Sequence, residues 1–517
     1  MHIPDPLARP PTGLALVATA LALSGCATSA LDLAPPQADR PWQPQTTANG
    51  EIVAGAASRA APQDLPSDYT LPANSALATI APAAQLDATH PYTLAELIDL
   101  AESSNPLTRV AWNDARNAAL ATGIARSTYL PQISVAAMGG WTNGRLSSNT
   151  ALGTAGADTS HHGAISVVSL QWLLFDFGER AGLVEAAEQA TVAANIAFTA
   201  LHQRIIHDVS VAYYRYQAAR SRRATVDQAM ANADAVMTAA KARYARGVGT
   251  VVEVAQATQN RAQTNLARVQ AQGAETDAYL GLVTAIGISP LSKPLIAEMP
   301  VRPLSPALRS SVEQIVERAI AQRPDVLGAY ALERANQARV KAAEAAFLPK
   351  VFMSAFASYA SGGSAITAIP PVGQQPPTVN LNGNRYGNSV FLGVTLPIYD
   401  GGMRSAVLAQ ARNDVDSAQA RLTRAKEESV RQVVVSQSAL ESSLAAYDAA
   451  RALADAAQIT YDAAFTAYRK GVGTVTEANL AQNQLLLARN ASADAYSAAL
   501  AAAATLALAA GDIGKTP

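Results

Sequence analysis

The chain is written twice. Tyr129-Leu130-Pro131-Gln132-Ile133 recurs as Phe347-Leu348-Pro349-Lys350-Val351, and Asn105-Pro106 recurs as Arg323-Pro324, both offset by 218 positions, as from Pro131 to Pro349. Farther on, Tyr244-Ala245-Arg246-Gly247-Val248-Gly249-Thr250 recurs as Tyr468-Arg469-Lys470-Gly471-Val472-Gly473-Thr474, offset by 224. The larger offset also joins Asp176 to Asp400 and Gly287 to Gly511, so the second copy has gained six residues between 350 and 399. A surface loop takes up such a change.

Each copy changes its hydrophobic period in the same order. After Pro131 and Pro349 the pattern alternates as a strand does. Val390, Leu392, Val394, Leu396 and Ile398 are the cleanest set, with Ser389, Gly393 and Thr395 between them. The strands are expected at 131–142 and 165–175 in the first copy and at 349–360 and 389–399 in the second. Polar segments 143–163 and 361–388, the latter with Pro370, Pro371, Pro376 and Pro377, read as solvent-facing loops. After Gly178 and Gly402 a proline-free stretch of about 69 residues runs to Gly247 or Gly471, roughly 100 Å of helix. Val226, Met230, Ala233, Met237, Ala240 and Tyr244 step by four and three, and Tyr447, Ala454, Tyr461 and Tyr468 fall at sevenths, the spacing of a coiled coil. A glycine turn then reverses the chain into a second helix ending near Gly287 or Gly511. Each copy is a strand hairpin plus a long helical hairpin.

Composition agrees with closely packed helices and excludes a strongly charged partner. Aromatics are 5 %, and 39 basic side chains meet 40 acidic ones, so nucleic acid is not expected to bind. The single cysteine, Cys26, permits no internal disulfide. It has another use. Arg9 precedes an uncharged stretch from Pro10 to Leu23 that runs into Leu23-Ser24-Gly25-Cys26, a secretory signal ending in a lipobox. The stretch is too short to span a bilayer comfortably. Cys26 would become an acylated N-terminus, its several acyl chains giving stable attachment. The resulting organisation is a signal peptide at 1–25, an acylated, extended Pro- and Ala-rich arm at 26–90, a first repeat at 91–287 with its helical hairpin at 178–287, and a linker at 288–308. A second repeat follows at 309–511, with its helical hairpin at 402–511, and then a tail at 512–517.

Four strands in an outer membrane leave two unpaired edges, which lipid does not tolerate. The smallest membrane barrels use about eight strands, so several protomers must share one barrel. The duplicated helix, strand hairpin, helix plan over about residues 90–511 resembles the TolC-like outer membrane factor family in its acylated branch. The resemblance implies an α+β membrane protein that is a homotrimer, with a 12-stranded β-barrel continued by a periplasmic α-barrel. It also implies an equatorial belt at 93–104 and 288–322. The function implied is a passive conduit in a tripartite efflux or secretion system, working with a periplasmic adaptor protein and an inner-membrane pump. Ala27 after the cysteine implies, by resemblance to bacterial lipoproteins, sorting to the outer membrane, leaving the chain lipid-anchored there with a large periplasmic extension.

Gly-Val-Gly-Thr at both helical turns supplies the left-handed backbone that a tight reversal needs. In the family such tips also meet the adaptor, which points to Val248, Gly249, Thr250, Val472, Gly473 and Thr474. The family's acidic aperture ring is matched here by Asn479 and Gln482, where aspartates can stand. Glu253 and Glu477 are the nearby carboxylates, and a solvated helix face is the competing role for both. No catalytic set, metal site or cofactor is expected beyond the lipid on Cys26. Asp176-Phe177-Gly178 reads as a turn without a kinase's other loops. His161-His162 with Asp158 lacks ligand spacing, and no glutamate follows His202 or His207 to make a zinc-protease pattern. The Ala-rich 495–510 segment is too short and too weakly apolar for a membrane span. An envelope adaptor would carry one hairpin between β-rich halves, a structural coiled coil would lack strand pairs, and a lipoprotein enzyme would need convergent polar groups.

Overall fold

The computed structural model describes residues 33–34, 45–49, 51–54, 71, 73–74, 77, 86–87, 89–150, 153–300, 304, 312–369 and 378–514. The expected signal peptide and Cys26 lie outside the described residues, as does most of the 26–90 arm. Contacts divide the chain into Met1–Ala84 and Gln85–Pro517. In the first unit β1 (Gln45–Thr46) pairs antiparallel with β2 (Ile52–Val53).

The second unit opens with β3 (Pro91–Tyr92), which pairs in parallel with β6 (Leu295–Ile296). Helix α1 (Leu94–Ser104) starts at a capping box, in which Thr93 Oγ accepts from the Glu96 amide at 3.4 Å while the Thr93 amide donates to the Glu96 carboxylate at 2.7 Å. The Thr93 amide first, then the Thr93 hydroxyl, which donates to the carboxylate at 2.8 Å, and the His90 ring pull the Glu96 carboxyl down to about 2. The helix stops at Asn105 because Pro106 forces the residue before it into extended backbone, and the proline itself opens α2 (Pro106–Ser127). Arg323-Pro324 does the same between α5 (Val312–Gln322) and α6 (Pro324–Ala345).

Both bends dock on the ends of returning helices. Helix α4 (Val251–Ile286) ends at Gly287 and α8 (Val475–Ala510) at Gly511, each in left-handed backbone. The Asn105 amide donates to the Ala285 carbonyl at 3.4 Å, and the Arg323 guanidinium donates to that of Ala509 at 3.1 Å, satisfying carbonyls that helix ends leave free. A Cβ at Gly287 would sit 2.7 Å from Asn105 Cγ, so the contact also needs glycine for space. The two segments expected as a belt therefore contain α1, β6 and α5.

The long helices α3 (Glu179–Ala245) and α7 (Met403–Lys470) are 67 and 68 residues, about 100 Å each. Val226, Met230, Ala233, Val236 and Ala240 are buried along α3, and Tyr461 and Tyr468 along α7, whereas Tyr244 lies exposed at the tip. Helix α8 is long and apolar enough to cross a membrane, with a mean hydropathy of 1.4 over its most apolar window. It packs along α7 and α3 instead, its Ser497 donating to the Tyr214 carbonyl at 2.6 Å.

Strands β4 (Gln132–Thr150), β5 (Gly153–Phe175), β7 (Lys350–Ile369) and β8 (Thr378–Thr395) form one antiparallel sheet in that order. They are far longer than expected: most of 143–163 and much of 361–388, read as loops, continue the ladders. Arg145 faces Asp158 and Thr367 faces Thr378 in unbroken register. Backbone pairing does not need apolar alternation, so Ser, Asn, Thr and Gly carry the hairpins on where the hydrophobic pattern stops. Glycines let β5 and β7 approach closely; a Cβ at Gly163 would lie 2.6 Å from the Ser361 carbonyl oxygen.

Strand meets helix at two similar junctions. Phe177 and Gly178 take positive φ, as do Gly401 and Gly402. Asp176 accepts from the Arg180 amide and guanidinium, both at 2.8 Å, and Arg180 spends its other nitrogens on the carbonyls of Thr128, Leu173 and Leu174 while lying over the Tyr129 ring. Arg404 repeats this with Asp400 at 2.6 Å, the Pro397 carbonyl and the Phe347 ring. The buried polar ends of the strands are thereby paired.

Candidate functional site

The site begins with two reversals of the chain. Between α3 and α4, Gly247 has φ 74°, and the amides of Val248 and Gly249 both donate to the Arg243 carbonyl at 3.1 Å. Between α7 and α8, Gly471 has φ 85°, and Val472 and Gly473 donate to Ala467 at 3.0 and 3.2 Å. The second glycine of each turn lies flat on the helix it leaves. A Cβ on Gly249 would be 3.0 Å from Arg243 Cβ and one on Gly473 3.1 Å from Ala467 Cβ.

Threonine then starts the returning helix. Thr250 Oγ accepts from the Glu253 amide and Thr474 Oγ from the Glu477 amide, each at 3.2 Å. Glu477 completes a capping box by accepting from the Thr474 amide at 2.8 Å, and that bond holds its carboxyl below the usual range. The tips are thus pinned by local hydrogen bonds while Val248 and Val472 stand 64 % and 83 % exposed.

Below the tips lies a packed layer in which the sequence singles out Ala240, Tyr468 and Glu253 but not Arg243. Tyr468 is fully buried among Val236, Ala240, Ala257, Val475 and Ala478. Its hydroxyl donates to Glu253 at 3.4 Å, and burial pushes its pKa up. The Arg243 guanidinium lies 5.3 Å over the Tyr468 ring, 3.5 Å from the Glu253 carboxylate, and donates to the Val248 carbonyl at 3.3 Å. The heptad position of Tyr468 signalled its burial; nothing in the spacing signalled Arg243.

The four aperture candidates are not gathered together. Glu253 faces Arg243 and Tyr468, and Glu477 is a helix cap. Gln482 is 1 % exposed: it accepts from Asn260 at 3.3 Å and donates to the Ala229 carbonyl at 2.9 Å, tying α3, α4 and α8. Its amide is used inside the protomer. Asn479 is half-buried, its side-chain oxygen withdrawn from solvent without a hydrogen-bond partner. His161 and His162 fall on opposite faces of β5, and Asp158 pairs with Arg145 at 2.7 Å. His202 lies 3.4 Å from Glu102, and His207 lies against Asp208 and Thr505.

The sheet at the other end has two chemically different faces. On one, Ile133, Leu170, Ala355 and Val390 stand abreast, with Val135 and Val168 above them and Met353, Leu392, Val351 and Val394 below. Trp172 stands in the Met353–Leu392 row near one end of this patch, and Tyr359 and Tyr386, with centroids 5.0 Å apart, border the other. Six residues separate Tyr359 from the Met353 opposite Trp172, roughly 20 Å of strand. The opposite face is richer in polar residues, with Gln132, Gln171, Ser354, Ser358 and Ser389 and with Ser134 and Ser169 joined at 2.7 Å, but it also carries Val167, Leu173, Phe352, Phe356 and Phe391.

Comparison with known proteins matches this architecture. The family model described as outer membrane efflux protein matches residues 97–288 and 315–512. Protein CyaE of Bordetella pertussis is 30 % identical over 448 residues, covering 84 % of this chain and 86 % of that one. A solved membrane protein from Pseudomonas aeruginosa superposes with a TM-score of 0.64 at 25 % identity, covering 81 % of this chain and 93 % of that one. The outer membrane protein VceC of Vibrio cholerae, at 20 % identity, shares the fold with a TM-score of 0.64 over 81 % of this chain and 96 % of its own.

Proposed function

Because the chain belongs to the outer membrane efflux protein family and is an outer-membrane channel component of a tripartite efflux or secretion system, we propose that three copies close one 12-stranded barrel. The long helices then continue the conduit through the periplasm. The apolar sheet face with its aromatic borders turns to lipid, as an outward band about 25 Å tall flanked by aromatic girdles requires. The polar face turns to the lumen. Cargo passes through passively, with the driving energy supplied by an inner-membrane pump.

Docking to a periplasmic adaptor through Val248, Gly249, Thr250, Val472, Gly473 and Thr474 is carried by one observation: two exposed valines on tips whose backbone is fixed by caps and by bonds reaching back five and six residues. Rigid presentation lowers the ordering cost of contact. Val248→Asp with Val472→Asp puts charges into that contact without touching the glycines, and should cost on the order of 2 kcal/mol of docking. Folding and trimer formation should survive while export and adaptor crosslinking fall. Normal export with undiminished crosslinking refutes the docking role. Acylation at Cys26 supplies the proposed anchor. Cys26→Ser should abolish lipid on the mature chain, and a lipid-free wild-type N-terminus by mass spectrometry removes the anchor.

A further inference from the structure

The polar face of the sheet carries an aromatic cluster where it approaches the helices. Of the chain's eight phenylalanines, three stand there within a few residues of one another. Phe352 lies directly opposite Gly393, and its ring covers the glycine so closely that a Cβ there would meet the Phe352 Cζ at 2.5 Å. Phe391 faces Ser354, Phe356 faces Ser389, and the Phe356 and Phe391 rings sit 6.3 Å apart, tilted by 31°. All three remain between about a third and a little over half exposed.

Each ring keeps an open side within the protomer, and the neighbours on the same face are Ser354, Ser389, Gln171 and Gly393, with Leu173 opposite Phe352. Phenylalanine is therefore not filling a core there. On the lipid face it would be ordinary; on this face the rings meet whatever fills the conduit. Gly393 gives Phe352 room to lie flat, and the Phe356–Phe391 pair offers an adjoining tilted surface. Flat, partly desolvated rings favour aromatic and alkyl-rich cations through their negative faces and their apolar area. We infer that Phe352, Phe356 and Phe391 form an aromatic contact site in the lumen at the periplasmic end of the barrel. Threefold assembly repeats it around the wall, and it holds cargo that exposes aromatic surface in preference to equally charged cargo that does not. The inference rests on the trimeric barrel proposed above.

Ser354 lies among the three rings without being one of them, so Ser354→Cys reports on the site with all three intact. Leu392→Cys is its lipid-face counterpart, one residue from Phe391 and pointing the other way. In outer-membrane preparations, after subtraction of any wild-type signal, a membrane-impermeant maleimide should label S354C and spare L392C. Tetraphenylphosphonium should slow S354C labelling by about tenfold at a concentration where tetraethylammonium has no effect. Adding F352S, F356S and F391S should remove that protection while the trimer persists on gels. Labelling of L392C in place of S354C overturns the face assignment. Labelled S354C with equal protection by both cations, or protection that survives loss of the three rings, overturns the contact site while leaving the channel intact. Loss of the trimer in wild-type membranes overturns the barrel reading itself.

Discussion

At the scale of single residues, the strand-to-helix junctions show what the sequence discloses and what it conceals. Asp176-Phe177-Gly178 is legible as a turn, but the work of Asp176 is legible only through Arg180 four residues on, a spacing repeated by Asp400 and Arg404. The turns themselves, Asp176-Phe177-Gly178 and Asp400-Gly401-Gly402, differ at one residue. Phe177 holds φ 53° where Gly401 holds φ 69°, and left-handed backbone costs a residue with a Cβ about 1–2 kcal/mol. Phe177→Gly should therefore raise stability by about 1 kcal/mol, less a few tenths for the added freedom of the unfolded chain. Denaturant unfolding of the purified protein checks this, and a lower midpoint would show that the Phe177 ring makes a contact worth more than the strain. Gln482 marks the opposite limit. Its place in the chain matched a family position, but burial beneath Ala229 and Asn260 is set by the helix packing around it, which one sequence does not state.

Elements were legible in proportion to how strongly their period is enforced. The long helices announce themselves because 67 residues pass without proline and small residues recur along a seam. Strand ends do not, because β4 and β5 keep pairing through Asn143, Gly144 and Ser160, beyond any apolar alternation. Helix starts are the most local signals of all, and α8 shows one that depends on pH. Glu477 accepts from the Thr474 amide and its carboxyl is held below the usual range, so its stabilising contribution is present above the unfolded carboxyl's pKa of about 4.3 and is lost as pH falls through the lower folded value. Hydrogen exchange at the amides of Val475 to Ala478 should accelerate on acidification through that window, after correction for intrinsic rates. Glu477→Gln should flatten the pH response, because the amide keeps an acceptor oxygen and does not titrate. An unchanged response in the variant would assign the pH dependence to another group.

For the whole molecule, the decisive feature is a sheet with two open edges. Among the described residues β4 pairs only with β5 and β8 only with β7, so one side of each outer strand offers a row of backbone donors and acceptors without a strand partner among them. Water can satisfy such a row beyond the membrane; lipid cannot, and each unmet group there costs several kcal/mol. In the proposed barrel the apolar face, with Val135 on β4 and Val390, Leu392 and Val394 on β8, lies at membrane depth, and closure brings β4 of one copy beside β8 of the next. Residues opposed across paired strands have Cβ atoms about 4.5–5.5 Å apart, close enough for an oxidative crosslink after cysteine substitution. The register of that seam is not set by either strand alone, which is why Val135→Cys should be combined in turn with Val390→Cys, Leu392→Cys and Val394→Cys. At least one combination should give covalent dimers and trimers on oxidation in membranes, while each single variant remains a monomer on denaturing gels. Absence of intermolecular products from all three, in protein still inserted in the outer membrane, would mean that the edges are closed by something other than a second copy of this chain.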